Sequence, residues 1–462
     1  ADSGQYKGII RYGHGSSGEV LELFAGGNKR FVLDDNSRIS LSNNDSSNTG
    51  NTIFGKSAWN NSSDNGSDFN TIFGEGVMGT GAVNAATYNT GVGYNVFQDV
   101  TTGDYNTALG ASSALNLTEG HNNVAIGQNA FFNATTADEC IAIGRDALYA
   151  LNHATSADGT VAIGYTALAA LTSGADNLAI GYTALAGCTD GTGNLAIGRN
   201  ALNSTDGSGA ANNIGIGAYA GLNMGDNSNS DNIFIGYGTG GGAWEGVCSY
   251  NIGIGSYALN AAMTGALNNI GVGHNSLGSI TSGDSNIGIG VNAGLVCTTA
   301  GSMILIGHGA GVAIAAGQTT TDGTVAIGHS ALTALTTGAG NTAVGYTAMT
   351  DVVEGEKNTA LGYNAFGGAL DTTADASTDN VFIGHNAGSG DWVTAVSNYN
   401  VGVGNNVMDG DMDGALENTA VGHNALGGLI SGAKNCAFGT QALEGLTTGN
   451  YNVAVGWQAA DA

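Results

Sequence analysis

Gly50-Asn51-Thr52-Ile53-Phe54-Gly55-Lys56-Ser57 satisfies the Walker A pattern letter for letter. Phosphate binding by such a loop needs a buried strand before it and a helix opening at Lys-Ser, so that backbone N–H groups converge on the anion. The context argues against it. Lys56 has no counterpart later in the chain, no acidic strand for Mg²⁺ follows, and Asn51 and Gly55 belong to a phrase that recurs throughout the sequence. Asp409-Gly410-Asp411-Met412-Asp413-Gly414 matches the first half of a calcium loop, with carboxylates on alternate residues. The twelfth position, where a bidentate Glu belongs, is Ala420, so Asp409, Asp411 and Asp413 are a candidate metal set that lacks its closing ligand. No other cofactor is indicated.

Trp59, Trp244, Trp392 and Trp457 are the remaining candidates for contact chemistry. Trp244 and Trp392 fall in enlarged segments, 237–250 and 387–399, close in sequence to Tyr250 and Tyr399. Aromatic platforms suit sugar faces and protein anchors, and the alternative for each Trp is to plug its own oversized segment. No Ser–His–Asp or Cys–His constellation, HExxH or Gly-x-Ser-x-Gly elbow is present, and the acidic residues recur at no fixed position. No catalytic residue is nominated, and the chain reads as a non-enzyme.

These residues sit on a repeat. A phrase like Asn-Thr-Ala-Val-Gly occurs 23 times between Asn51 and Gly456, its glycines 17 to 22 residues apart. A fixed minimum with variable excess means a rigid unit whose connecting segment alone can grow. We number each copy from its glycine as zero. Position −1 is apolar in all 23 copies, −3 is mostly Thr, Val, Ile or Leu, and −4 is Asn in 19. A spacing of two puts −3 and −1 on one strand face, expected to fill the coil interior together with the Ala usual at +3 and the Leu or Phe frequent at +4. Position −2 then faces outward, and it is Ala or Gly in 18 of 23 copies, the exceptions being Ile53, Ile72, Phe234, Leu305 and Phe382. A small, apolar outward face predicts close approach of another chain, as in a homotrimer, although a sheet pairing or a glycine-lined monomer surface satisfies it too. Stacked coils would align the Asn side chains into a ladder. The zero glycine marks a positive φ or a close approach. At ~4.8 Å per strand, 23 coils make a rod on the order of 110 Å long.

The expected fold is therefore all-β: a β-solenoid or β-roll of about 23 coils over 51–462, intertwined or side by side in a homotrimer, preceded by a small β module and polar transition at 1–50. The chain has 80 glycines and no proline, as expected where nearly every N–H enters a ladder. A net charge of −27 disfavours nucleic acid and anionic membrane surfaces as partners. No apolar run has transmembrane length and no signal-peptide pattern opens the chain, so membrane insertion is not expected. The start at Ala1 predicts processing or a partial sequence, and the bare end after the last phrase predicts further sequence or a partner there. Of five cysteines, Cys188 and Cys297 occupy +7, where Leu stands in other copies, while Cys140 and Cys436 lie inside the strand phrase. All four read as small buried hydrophobes rather than a disulfide framework. His274, His308, His329, His385 and His423 share +1 with Tyr, Arg and Gln of other copies, which describes a tolerant exposed column rather than a row of metal ligands.

The copies NNVAIGQNAF, GTVAIGYTAL and DNLAIGYTAL resemble the Ala-Ile-Gly-x-x-Ala repeats of trimeric autotransporter adhesin heads, which form left-handed β-rolls with shorter coils. NTAVGYTAM and NTALGYNAF, with the opening GIIRYGH…LELFAGGNKRFVLDD, are similar to tail-fibre proteins of marine bacteriophages, and the resemblance does not extend to the self-cleaving chaperone domain common in such fibres. The resemblance implies a homotrimeric fibre on a virion surface, outside the cell, that attaches to a host-cell surface glycan or protein. The alternatives are a bacterial trimeric surface adhesin and a polysaccharide-degrading tailspike.

Overall fold

The computed structural model describes residues 9–15, 18–25, 28–33, 50–59, 66–80, 82–151, 157–204, 210–225, 229–314, 322–368 and 376–461. The chain comprises two compact units, Ala1–Thr189 and Asp190–Ala462. The first opens with an antiparallel meander of β1 (Ile9–Gly15), β2 (Gly18–Ala25) and β3 (Asn28–Leu33), matching the strands expected there. The polar transition expected at 42–50 lies outside the described residues as far as residue 49.

Each of the 23 phrases forms one three-residue strand, from β4 (Thr52–Phe54) to β26 (Val453–Val455). Within the first unit β4 to β11 (Leu178–Ile180) stack as a parallel ladder, and within the second β12 (Leu195–Ile197) to β26 do the same. Equivalent positions pair throughout, as in Val161 with Leu178, Ala162 with Ala179 and Ile163 with Ile180. The pairing runs past the strands into the turns, where Leu168 N–H donates to the Ala184 carbonyl at 3.0 Å and Ala170 N–H to Ala186 at 3.2 Å. Among the described residues there is no α-helix. Both units are β-solenoids in which one repeat is one coil.

The expected assignment of the strand faces is reversed. In every phrase strand the middle residue, −2, is buried, while −3 and −1 are half-buried or exposed. The reason is volume. Inside a 17-residue coil the space is already taken by Ala167, Leu168 and Leu171, at +3, +4 and +7 and all 0 % exposed. An Ala or Gly is what still fits at −2. In three of the five coils where −2 is large, +4 is glycine: a Cβ at Gly240 would lie 2.6 Å from the Phe234 ring, one at Gly388 2.7 Å from Phe382, and one at Gly311 2.8 Å from Leu305. The small residues at −2 thus answer to the coil's own core, and they give no ground for a neighbouring chain.

The turn after each strand is left-handed. Thr166 and Leu168, at +2 and +4, have φ of 49° and 51°, and Asp176, at −5, has 59°. The zero glycine is required twice over. Gly198 has φ 135°, and a Cβ there would meet the Gly217 carbonyl oxygen of the next coil at 2.6 Å. The Asn ladder forms as expected. Asn213 N–H and Nδ2 both donate to Asn194 Oδ1, at 3.0 and 3.1 Å, and Nδ2 also donates to the Asn229 carbonyl at 2.7 Å. Asn232 repeats the pattern on Asn213 and on the Cys248 carbonyl. Both side chains are 0 % exposed, so these bonds are made where an unpaired amide is costly. Four copies lack the Asn, and two of their replacements, Thr160 and Thr324, leave buried hydroxyls without a partner.

Candidate functional site

The predicted aromatic platforms divide. Trp244 is 4 % exposed, with its ring edge-on to Phe234 at 5.3 Å. Trp392 is fully buried against Phe366 at 4.4 Å and Phe382 at 5.8 Å. Neither indole is available to a ligand, and both indole N–H groups are buried without an acceptor. The oversized segments enclose these rings rather than display them. Trp59 is likewise buried, whereas Trp457 stands 72 % exposed. Tyr250 and Tyr399, at −5, point outward at 59 % and 57 % exposure. Each is therefore separated from the Trp with which it was grouped: one ring faces solvent and the other fills the core.

The same −5 column carries Phe69, Tyr88 and Tyr105 on successive coils, stacked at 4.9 and 4.8 Å between ring centroids. A longer stack, missed in the sequence, runs along +1: His308, His329, Tyr346, Tyr363 and His385, at 5.0 to 5.2 Å and within 11° of parallel. Reading +1 coil by coil, rather than picking out histidines, would have found it. Stacked rings turn their faces to one another and their edges outward, so this column offers imidazole nitrogens and phenol hydroxyls at the spacing of the coils. Elsewhere on +1, Arg145 lies over the Tyr165 ring at 5.4 Å, and Arg199 lies over Tyr219 at 5.5 Å.

A recess of about 230 Å³ opens in the first unit, lined by Ser57, Glu75, Gly76, Thr80, Tyr94 and Asn95, among others. Tyr94, 54 % exposed, forms an aromatic wall beside hydroxyl, amide and carboxylate groups. The Walker-like segment borders it without becoming a phosphate loop. Lys56 pairs with Glu75 at 3.3 Å in solvent, and a turn, not a helix, follows the strand.

Two aspartates of the calcium-like segment take separate partners. Asp411 accepts the Asp391 N–H at 3.0 Å, and Asp413 accepts the Thr394 hydroxyl at 2.9 Å. Burial pushes the Asp409 carboxyl above its ordinary range, and Glu444 adds to the shift. Among the described residues no group of three or more His, Cys, Asp or Glu side chains converges as a metal site. A second raised carboxyl, Asp351, owes its shift to burial and then to the charge of Asp391.

The cysteines behave as small hydrophobes. Cys140, Cys188, Cys248 and Cys297 are buried and outside any disulfide, and Cys436 is half-buried. Burial pushes Cys140 and Cys297 up to about 12.

No helix among the described residues is long and apolar enough to cross a membrane. No protein-family model, curated protein or solved structure matches this chain.

Proposed function

We propose that the chain is a structural attachment fibre, built to hold binding groups at fixed spacing outside a cell and to engage a host-cell surface glycan or protein. The observation that carries this reading is the exposed aromatic and polar columns repeated on a hydrogen-bonded scaffold. Repetition turns weak single contacts into avidity when the target is itself a polymer or a crowded surface. A ladder bonded from coil to coil, with an internal Asn column, keeps those groups in register. Tyr94 with its recess, Tyr250, Tyr399 and the +1 stack are the surfaces we assign to the receptor. The virion setting and the homotrimer rest on the resemblance of the repeats to phage fibres and adhesin heads. No catalytic role is part of the reading.

The test is binding of the purified chain to candidate host cells and to arrays of their surface glycans. Saturable binding, weakened at least tenfold when Tyr94, Tyr346 and Tyr363 are changed to Ala together, supports the reading. Shortening of a glycan polymer by the chain would overturn it in favour of a depolymerising spike, and Asp351 and Asp391 would be the first carboxylates to substitute.

A further inference from the structure

The two outward strand columns, −3 and −1, carry no charged residue in any of the 23 coils. They are not equally apolar along the chain. The six strands β13 (Ile214–Ile216), β14 (Ile233–Ile235), β15 (Ile252–Ile254), β16 (Ile270–Val272), β17 (Ile287–Ile289) and β18 (Ile304–Ile306) present twelve outward side chains, of which eleven are Ile and one is Val. All twelve are half-buried or exposed, with Ile254 and Ile289 each 39 % exposed. Behind this panel the inward position is glycine in four of the six strands, at Gly215, Gly253, Gly271 and Gly288. Here the sheet spends its branched apolar side chains on its outer face. Core packing does not account for them, because the interior is closed without them: a Cβ at Gly215 would already lie 2.7 Å from Leu202.

We infer that the outward strand face of the second unit, with this isoleucine panel as its most apolar stretch, is the surface through which copies of the chain join, face against face. Three features choose a second copy over another occupant. First, six coils repeat at ~4.8 Å, and a matching comb of β-branched side chains with the same spacing can interdigitate along the whole panel, as in dry sheet interfaces. Second, a chain of net charge −27 repels its own copies everywhere except on a face free of carboxylates, and this face is one. Third, the size fits. The fifteen strands of the second unit span ~70 Å at that spacing, and a contact about 10 Å wide then buries ~1,400 Å² over both partners, the range of stable interfaces. Every outward position on that face is uncharged, with Ile concentrated in β13 to β18 and Thr342, Thr359 and Thr419 at −3 farther along. The inference deepens the fibre reading by naming the surface that would assemble it, but it needs no receptor.

The native mass of the purified chain is the test. Two or three times 45.7 kDa is expected, and a single-chain mass overturns the proposal. Ile254→Glu combined with Ile289→Glu should reduce the mass to one chain while the β-sheet circular dichroism is retained, since both positions border solvent in the single chain. An unchanged mass with intact dichroism overturns the proposal. Should the charged variant fail to fold, Ile254→Cys treated with a short bis-maleimide decides: cross-linked pairs of chains support the panel, and their absence from folded protein overturns it. Host-cell binding measured on the same samples is a separate readout. Its absence from an assembled protein would sink the attachment reading and leave the panel standing.

Discussion

The 17-residue coil that starts at Gly164 and the 20-residue coil that starts at Gly384 solve one packing problem in two ways. The short coil closes on Ala162, Ala167, Leu168 and Leu171, with a small residue at −2 and a Leu at +4. The long coil reverses the sizes, with Phe382 at −2 and Gly388 at +4, and uses its extra residues to bring Trp392 inside. The 19-residue coil from Gly236 does the same with Trp244 against Phe234. Added length in these coils widens the core. In a solenoid, insertion size alone therefore does not mark a binding loop; what the inserted side chains touch decides it.

The largest test of that contrast is Trp392→Ala, which should cost the coils around it ~3–5 kcal/mol by opening a cavity. Faster hydrogen exchange at the amides of residues 381–383 and 401–403 would report it. If the segment were an external loop, the change would stay within about 0.5 kcal/mol. Leu168→Ala, the matching deletion in the short coil, should cost ~2–5 kcal/mol. Next in size, Gly388→Leu should destabilise by ~1–3 kcal/mol through overpacking against Phe382. Adding Phe382→Ala converts the pair to the short-coil arrangement and should return much of that loss, a coupling readable in a double-mutant cycle.

A smaller gain is expected from repairing the polar ladder. Thr324→Asn replaces a buried, unpartnered hydroxyl with an amide aligned with Asn341 of the next coil, and should stabilise by roughly 0.5–1.5 kcal/mol in thermal or denaturant unfolding. The smallest effect concerns Asp409. Its folded pKa lies above the unfolded value because burial disfavours the charged form. The folded state then holds the proton more tightly, so this group's contribution is present below the unfolded pKa and is lost as pH rises through the folded one. Asp409→Asn should raise the melting temperature slightly at pH 7, with the gain vanishing in acid.

Much of the fold was legible. The phrase recurring from Asn51 to Gly456 revealed the coil, its strand and the Asn ladder, because each copy must satisfy the same hydrogen bonds as its neighbours. The parity of the strand was not. Over three residues, alternation shows that −3 and −1 oppose −2, but not which side is inside. Taking the bulkier Ile163 and Val161 as core ignored the volume claimed by Leu168 and Leu171. The size exchange between Phe382 and Gly388 was visible in the sequence and would have fixed the parity, since a glycine answering a Phe implies that both point inward. For the candidate site, grouping Tyr250 with Trp244 and Tyr399 with Trp392 rested on nearness in sequence, and coordinates were needed to part them: an indole in an oversized segment looks the same whether it plugs or protrudes.

Near-identical coils carry a hazard while the chain is folding. A segment that docks one coil out of step still finds an Asn for its Asn and a glycine carbonyl for its glycine, so the backbone scarcely registers the error. The indole-bearing coils do register it. Trp392 has its cleft only beside Phe366 and Phe382, and Trp244 its own beside Phe234. Slipped by one step, each leaves a void behind and collides ahead, so these two bulky side chains act as keys that hold an otherwise monotonous thread to a single alignment.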